Sequence, residues 1–90
     1  MNLNSKQQSI LNAISENPVR ANIPWKDIES MLIALGAEVS EGKGSRVRFA
    51  LNGIRATFHR PHPEKETDKG AVKSVRRFLM EAEIVKNDEV

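Results

Sequence analysis

Two runs of strictly alternating residues, 46–51 and 54–59, stand on either side of an Asn52-Gly53 pair. Successive side chains of a strand point to opposite faces, so each run separates into two sides. Asn-Gly tolerates the positive φ angles of a tight turn and is a strong hairpin signal. The pattern predicts a hairpin with one apolar, buried side. That side holds Val47, Phe49, Leu51, Ile54, Ala56 and Phe58, and the other holds Arg46, Arg48, Arg55, Thr57 and His59.

Three further segments place apolar residues at helical spacing. The first covers residues 5–17 and is stopped by Pro18. The second covers residues 24–35 and ends before Gly36, which suits the left-handed conformation after a helix. The third begins near Thr67 or Asp68, either of which can cap it, and presents Val72, Val75, Phe78, Leu79 and Ala82 as its apolar side. Residues 37–40 are a short strand candidate.

The order helix, helix, three strands, helix predicts the fold class. The strands form one antiparallel sheet, and the amphipathic helices must bury their apolar sides against its one apolar face. We therefore predict a two-layer α+β domain whose basic sheet face stays open. Residues 1–22 are interpreted as a helical extension and connector, 23–84 as the domain, and 85–90 as a tail.

The amino-acid composition argues against cysteine-based sites and against a membrane protein. The 90 residues contain no cysteine, which excludes disulfides, thiolate metal sites and a cysteine nucleophile. No apolar run approaches the ~20 residues that cross a bilayer, and the start lacks the apolar centre of a signal peptide. We expect a cytoplasmic protein that has no membrane partner.

Charge is unevenly distributed although the net charge is only +2. Residues 43–77 contain ten Lys/Arg and three Asp/Glu, whereas residues 1–42 and 78–90 are both acidic. Such a concentrated positive field attracts phosphate. The predicted nucleic-acid-binding residues are Arg46, Arg48 and Arg55, with Lys65, Lys69 and Lys73 extending the surface. Two alternatives remain: the cations merely solvate an exposed face, or they bind a protein partner.

His59 and His62 are the candidate catalytic residues. Histidine titrates near neutrality, so one ring can take the 2′-hydroxyl proton of RNA and another can protonate the leaving oxygen. Nearby cations can stabilise the charge that develops on the phosphate. The alternatives are two ordinary surface histidines or a His-x-x-His metal pair, but no third ligand stands nearby. We predict no metal and no cofactor.

Residues 44–49 (Gly-Ser-Arg-Val-Arg-Phe), 61–66 (Pro-His-Pro-Glu-Lys-Glu) and Gly70, followed by an apolar-basic helix, resemble the HicA toxin family. The resemblance covers residues 23–84. It implies a fold like that of double-stranded-RNA-binding domains, a toxin that cleaves mRNA independently of translation, and a HicB antitoxin that neutralises it.

One position departs from the family pattern. The family has Gly-Ser-His, with the histidine usually assigned to catalysis, and here that position is Arg46. Arginine stays protonated in proteins, so it can grip a phosphate but cannot act as a general base. The leading hypothesis is a metal-independent mRNA-cleaving toxin that uses His59 and His62. The rival is a non-catalytic RNA-binding module.

Overall fold

The computed structural model describes residues 3–16, 20–61 and 66–85. Predictions that concern Asn17, Pro18, the loop residues 62–65 and the tail 86–90 lie outside the described residues. The elements in chain order are α1 (Ser5–Ile14), β1 (Ile23–Pro24), α2 (Trp25–Ala34), β2 (Glu38–Glu41), β3 (Arg46–Leu51), β4 (Ile54–His59), β5 (Glu66–Thr67) and α3 (Lys69–Glu81).

The predicted hairpin is confirmed as β3 and β4. Asn52 and Gly53 both have positive φ, at 52° and 81°, as a two-residue type I′ turn requires. The register pairs Arg46 with His59 at one end and Leu51 with Ile54 at the other. Strand β2 adds to the far side of β3, which gives an antiparallel sheet of order β2-β3-β4.

The helices cover one face of this sheet and enclose the core. Phe58 is central to it, because its ring lies 5.8 Å from that of Trp25 and 6.0 Å from those of both Phe49 and Phe78. Strand β3 alternates between exposed and covered side chains, and Val47, Phe49 and Leu51 are all buried. The predicted two-layer α+β class is confirmed.

Helix α1 contributes to the same core. It contacts both α2 and α3, and Ile14 at its end is completely buried. The Arg76 guanidinium of α3 donates to the Ile14 carbonyl at 2.9 Å and also to the Glu16 carbonyl. These bonds satisfy carbonyl groups that the end of a helix otherwise leaves without partners.

The ends of the other helices follow the capping signals in the sequence. The Asp68 carboxylate accepts from the Ala71 N–H at 2.8 Å, which starts α3 as predicted. Gly36 has a φ of 103° after α2, also as predicted.

The turn of the hairpin is fixed to the helix layer. The Asn52 side chain donates to the Ala82 carbonyl at 2.7 Å. This bond joins the turn of the hairpin to the end of α3.

Several local features differ from the predictions. Helix α1 ends at Ile14, three residues before the predicted residue 17, with Ser15 as its C-cap. Helix α2 begins at Trp25, one residue late, because Pro24 instead belongs to β1. Strand β2 is Glu38–Glu41 and not 37–40, so both of its ends lie one residue later than predicted. The pairing of β1 with β5, which joins Ile23 to Thr67, was not predicted, since two residues are too few to show a period.

Candidate nucleic-acid interface

The side of the sheet that the helices leave uncovered is called the open face. Pairing across the three strands arranges its side chains in rows. One row is Ser40–Arg48–Thr57, and the next is Glu38–Ala50–Arg55. A third row pairs Arg46 with His59. All the charged members of the open face are exposed: Glu38, Arg46, Arg48, Arg55 and His59.

Arg46 and His59 form a close cross-strand pair. The Arg60 N–H donates to the Ser45 carbonyl at 2.9 Å, one residue beyond each member of the pair. In an antiparallel ladder, this bond makes Arg46–His59 a non-hydrogen-bonded pair, whose Cα atoms are only about 4.5 Å apart. A guanidinium and an imidazole therefore start from adjacent backbone positions on the open face.

The arginines of the open face have no ion-pair partners within the described part of the chain. The ion pairs found there join Lys6 to Asp27, Arg20 to Glu16, and Arg60 to two glutamates. None involves the three open-face arginines, Arg46, Arg48 and Arg55. Their positive charge is therefore available to an anionic ligand.

Arg60 is on the other side of the strand and has a different environment. Its guanidinium forms two hydrogen bonds to Glu29 of α2, at 2.7 and 3.2 Å, and two to Glu41 of β2, at 2.6 and 3.0 Å. The Trp25 indole N–H also donates to Glu29. We call Trp25, Glu29, Glu41 and Arg60 the Arg60 clamp. It ties α2 to both edge strands of the sheet.

The Arg60 clamp shifts the pKa values of Glu41 and Arg60. Hydrogen bonds from Arg60 lower the pKa of Glu41 below its usual 4.5. Hydrogen bonds to Glu41 and then to Glu29 raise the pKa of Arg60 above its already high ordinary value. Both shifts favour the charged forms of the pair.

The structure brings together four of the predicted site residues: Arg46, Arg48, Arg55 and His59. Lys69 and Lys73 are exposed on α3 and belong to the helix layer, which covers the other face of the sheet. His62 and Lys65 lie outside the described residues. The location of these side chains relative to bound RNA stays a prediction.

Sequence reasoning missed Glu38 and Ser40 on the open face. The predicted basic surface consists of residues 43–63, which contain no carboxylate. Strand β2 adds the carboxylate of Glu38 to the same face. The alternation of Glu38 and Ser40 with Val39 was the available signal. The partners of Arg60 gave no local signal, because Glu41 and Glu29 are 19 and 31 residues away in the chain.

Residues 3–16, 20–61 and 66–85 contain no group of three His, Cys, Asp or Glu side chains arranged to hold a metal ion. Within those same ranges, no helix has both the length and the apolar character to cross a membrane.

Comparison with known proteins identifies the family. Residues 25–84 match the family model described as HicA toxin of bacterial toxin-antitoxin. No curated protein and no solved structure matches the chain significantly. The family match spans two thirds of the 90 residues and includes both α2 and α3 and the whole three-stranded sheet. Membership carries the role of toxin and implies an antitoxin partner. The chain therefore belongs to the HicA toxins of bacterial toxin–antitoxin systems.

Proposed function

We propose that this toxin binds mRNA across its open face and cleaves it, and that a HicB-type antitoxin neutralises it. The observation that carries the proposal is the grouping of Arg46, Arg48, Arg55 and His59 on one exposed surface, with no ion pair to a described carboxylate. Cations with this arrangement attract a phosphate backbone, and a neighbouring imidazole can transfer protons.

The proposed reaction is attack of a ribose 2′-oxygen on the adjacent phosphorus. A base removes the 2′-hydroxyl proton while the P–O5′ bond breaks, and an acid protonates the departing 5′-oxygen. The products are a 2′,3′-cyclic phosphate and a 5′-hydroxyl. Arg46 binds the phosphate, because it is always charged and lies beside His59. His59 and His62 supply base and acid in either order, and the scheme requires no metal.

Arg46 also supports a second candidate function. Arginine at this position cannot replace a catalytic histidine as a base, while it still holds phosphate. A toxin that binds RNA without cleaving it fits this substitution. Lys65 would extend binding in either case, whereas Lys69 and Lys73, which lie in the helix layer, would do so where the RNA passes beyond the edge of the sheet.

The antitoxin would neutralise the toxin by covering the open face. A partner with an acidic surface would bind rapidly to this face, because complementary charge accelerates association. Co-expression with a small reading frame next to the toxin gene should restore growth, whereas an unrelated antitoxin should not.

RNA cleavage in EDTA tests the catalytic assignment. General acid–base catalysis contributes about 10²–10⁴-fold, so His59→Ala and His62→Ala should each slow cleavage at least ~100-fold. Ser9→Ala is the control, because it changes an exposed residue of α1 in the helix layer, away from the open face, and removes no titratable group. Two histidine variants that cut at the parental rate would refute the assignment. A parental chain that binds RNA and leaves it intact would support the second candidate function.

A further inference from the structure

The middle of the open face contains a shallow depression. The small side chain of Ala50 forms its floor, in a row between Glu38 and Arg55. The neighbouring row adds Ser40, Arg48 and Thr57. Together these residues line a space of about 510 Å³. The depression exists because Ala50 on the central strand has a short side chain, whereas Glu38 and Arg55 on the neighbouring strands have long ones.

The two sides of this depression differ in chemistry. Arg48 and Arg55 offer guanidinium groups, which bind phosphate through paired N–H donors. Glu38, on the opposite edge strand, offers a carboxylate that accepts hydrogen bonds from hydroxyl groups. The Cα atoms of Glu38 and Arg55 are two strand spacings apart, which is about 10 Å. A ligand that fits between them carries an anionic group at one end and hydroxyl groups at the other.

No phenylalanine or tryptophan is exposed in the described part of the chain for bases to stack on, and the exposed His59 ring lies in the Arg46 row, outside the depression. The chain has one tryptophan and three phenylalanines, and it has no tyrosine. All four, Trp25, Phe49, Phe58 and Phe78, are buried in the core. Proteins that bind single-stranded RNA through its bases generally stack them on exposed rings. The open face therefore suits the sugar–phosphate backbone better than it suits the bases.

We propose that the depression over Ala50 is a subsite for one ribose–phosphate unit of the RNA. The phosphate binds Arg48 and Arg55, and the ribose 2′-hydroxyl donates to Glu38. Ala50 is four residues from Arg46 along β3, a distance of about 13 Å. The subsite thus holds a different nucleotide of the same strand from the one at the Arg46–His59 pair. This inference rests on the proposed function and adds that recognition depends on the sugar and tolerates changes of base.

Binding measurements on a non-cleaving chain test the subsite. The full chain carrying His59→Ala is titrated into a fluorescein-labelled RNA of roughly 12 nucleotides, which is within the usual site size of small single-strand-binding folds. A DNA of the same sequence and an RNA of scrambled sequence serve as comparison probes. Fluorescence anisotropy gives the affinities, and a gel after each titration shows whether the RNA stayed intact.

Filling the depression and removing the carboxylate should have separate effects. Ala50→Leu should weaken RNA binding about tenfold, equivalent to about 1.4 kcal/mol. Glu38→Met, which removes the acceptor oxygens and keeps a side chain of similar length, should lower the ratio of RNA to DNA affinity by about threefold, since the 2′-hydroxyl is what distinguishes RNA from DNA. Scrambling the RNA should change affinity by less than about threefold, because phosphate contacts carry no sequence information.

Ala34→Leu is the matched control for added bulk, because Ala34 lies in α2 and not on the sheet. It should change RNA affinity by less than about twofold, as a residue outside the interface does. Thermal melts confirm that each variant is folded. If Ala50→Leu unfolds, Ser40→Leu fills the same depression from β2 and is expected to weaken binding similarly.

Three results would overturn the subsite. A folded Ala50→Leu or Ser40→Leu chain with parental RNA affinity would show that nothing occupies the depression. An unchanged RNA-to-DNA ratio in Glu38→Met would refute the ribose contact, and strong dependence on base sequence would contradict backbone recognition. The proposed function fails in different ways: the His59→Ala chain still cleaves the probe, or the parental chain binds no RNA.

Discussion

Arg60 and the arginines of the open face belong to the same hairpin region but have opposite environments. Arg60 lies between two carboxylates and forms four hydrogen bonds with them. Arg46, Arg48 and Arg55 have no ion-pair partner within the described ranges. One step along the chain, from His59 to Arg60, separates these environments, because neighbouring residues of a strand point to opposite faces.

A small domain thus divides its cations between folding and binding. Arg60 is neutralised within the fold and joins α2 to the sheet, so its charge contributes little to the outer field. The open-face arginines repel one another and contribute that field. Binding of an anionic ligand relieves the repulsion. We therefore expect mutations in the two groups to affect different measurements.

The largest effect is expected from removal of two open-face arginines. Arg48→Ala combined with Arg55→Ala should weaken RNA binding by about 100-fold. The magnitude of the salt slope should fall by about 0.7 for each phosphate of a single strand that the protein no longer neutralises. Stability should change by less than about 0.5 kcal/mol for each surface substitution. Anisotropy titrations at several salt concentrations measure the affinities and slopes. Parental affinity in the double variant would contradict a role for these arginines in binding.

The Arg60 clamp should show the reverse behaviour. Arg60→Met leaves the half-buried Glu29 without its cation, so the free energy of unfolding should fall by about 1–2 kcal/mol. For a domain of this size, the change lowers the melting temperature by about 4–8 °C per kcal/mol. RNA affinity of the folded variant should stay near the parental value. Arg48→Met is the matched control, and an equal drop in stability in both variants would contradict this division of roles.

The smallest effect is a change in pH dependence. The pKa of Glu41 is lowered in the folded chain, so the unfolded chain binds more protons near its ordinary pKa. Stability must then fall as the pH drops from about 5 through the lowered pKa. Urea unfolding at about pH 5 and pH 3 should show a larger decrease for the parent than for Glu41→Gln, which has no carboxyl group to titrate. Equal decreases would mean that Glu41 contributes nothing through Arg60.

The elements that could be predicted from the sequence are those specified by residues close together in the chain. The alternation of residues 46–59 and the Asn52-Gly53 pair specify the hairpin without any distant contact. Asp68 and Gly36 mark helix ends through their own backbone preferences. The grouping of Arg46, Arg48, Arg55 and His59 followed from the same alternation, because a strand turns alternate residues to one side.

The remaining features depend on contacts between distant parts of the chain. Alternation places Arg60 on the opposite side from Arg55, but nothing near it in the sequence identifies its partners, which come from α2 and β2. The burial of Ile14 depends on α1 packing against α2 and α3, which periodicity alone does not reveal. The assignment of Glu38 to the open face requires the register of β2 with β3 in addition to its alternation with Val39.

The position of Trp25 makes it an intrinsic fluorescence probe of the folded domain. It is the only tryptophan of the chain. Its indole donates to Glu29 and its ring lies against Phe58, the residue that precedes His59. Tryptophan fluorescence of this protein therefore reports on one buried site, between the helix layer and the end of β4. Release of Glu29 or entry of water at that junction would shift or quench the emission without any attached dye.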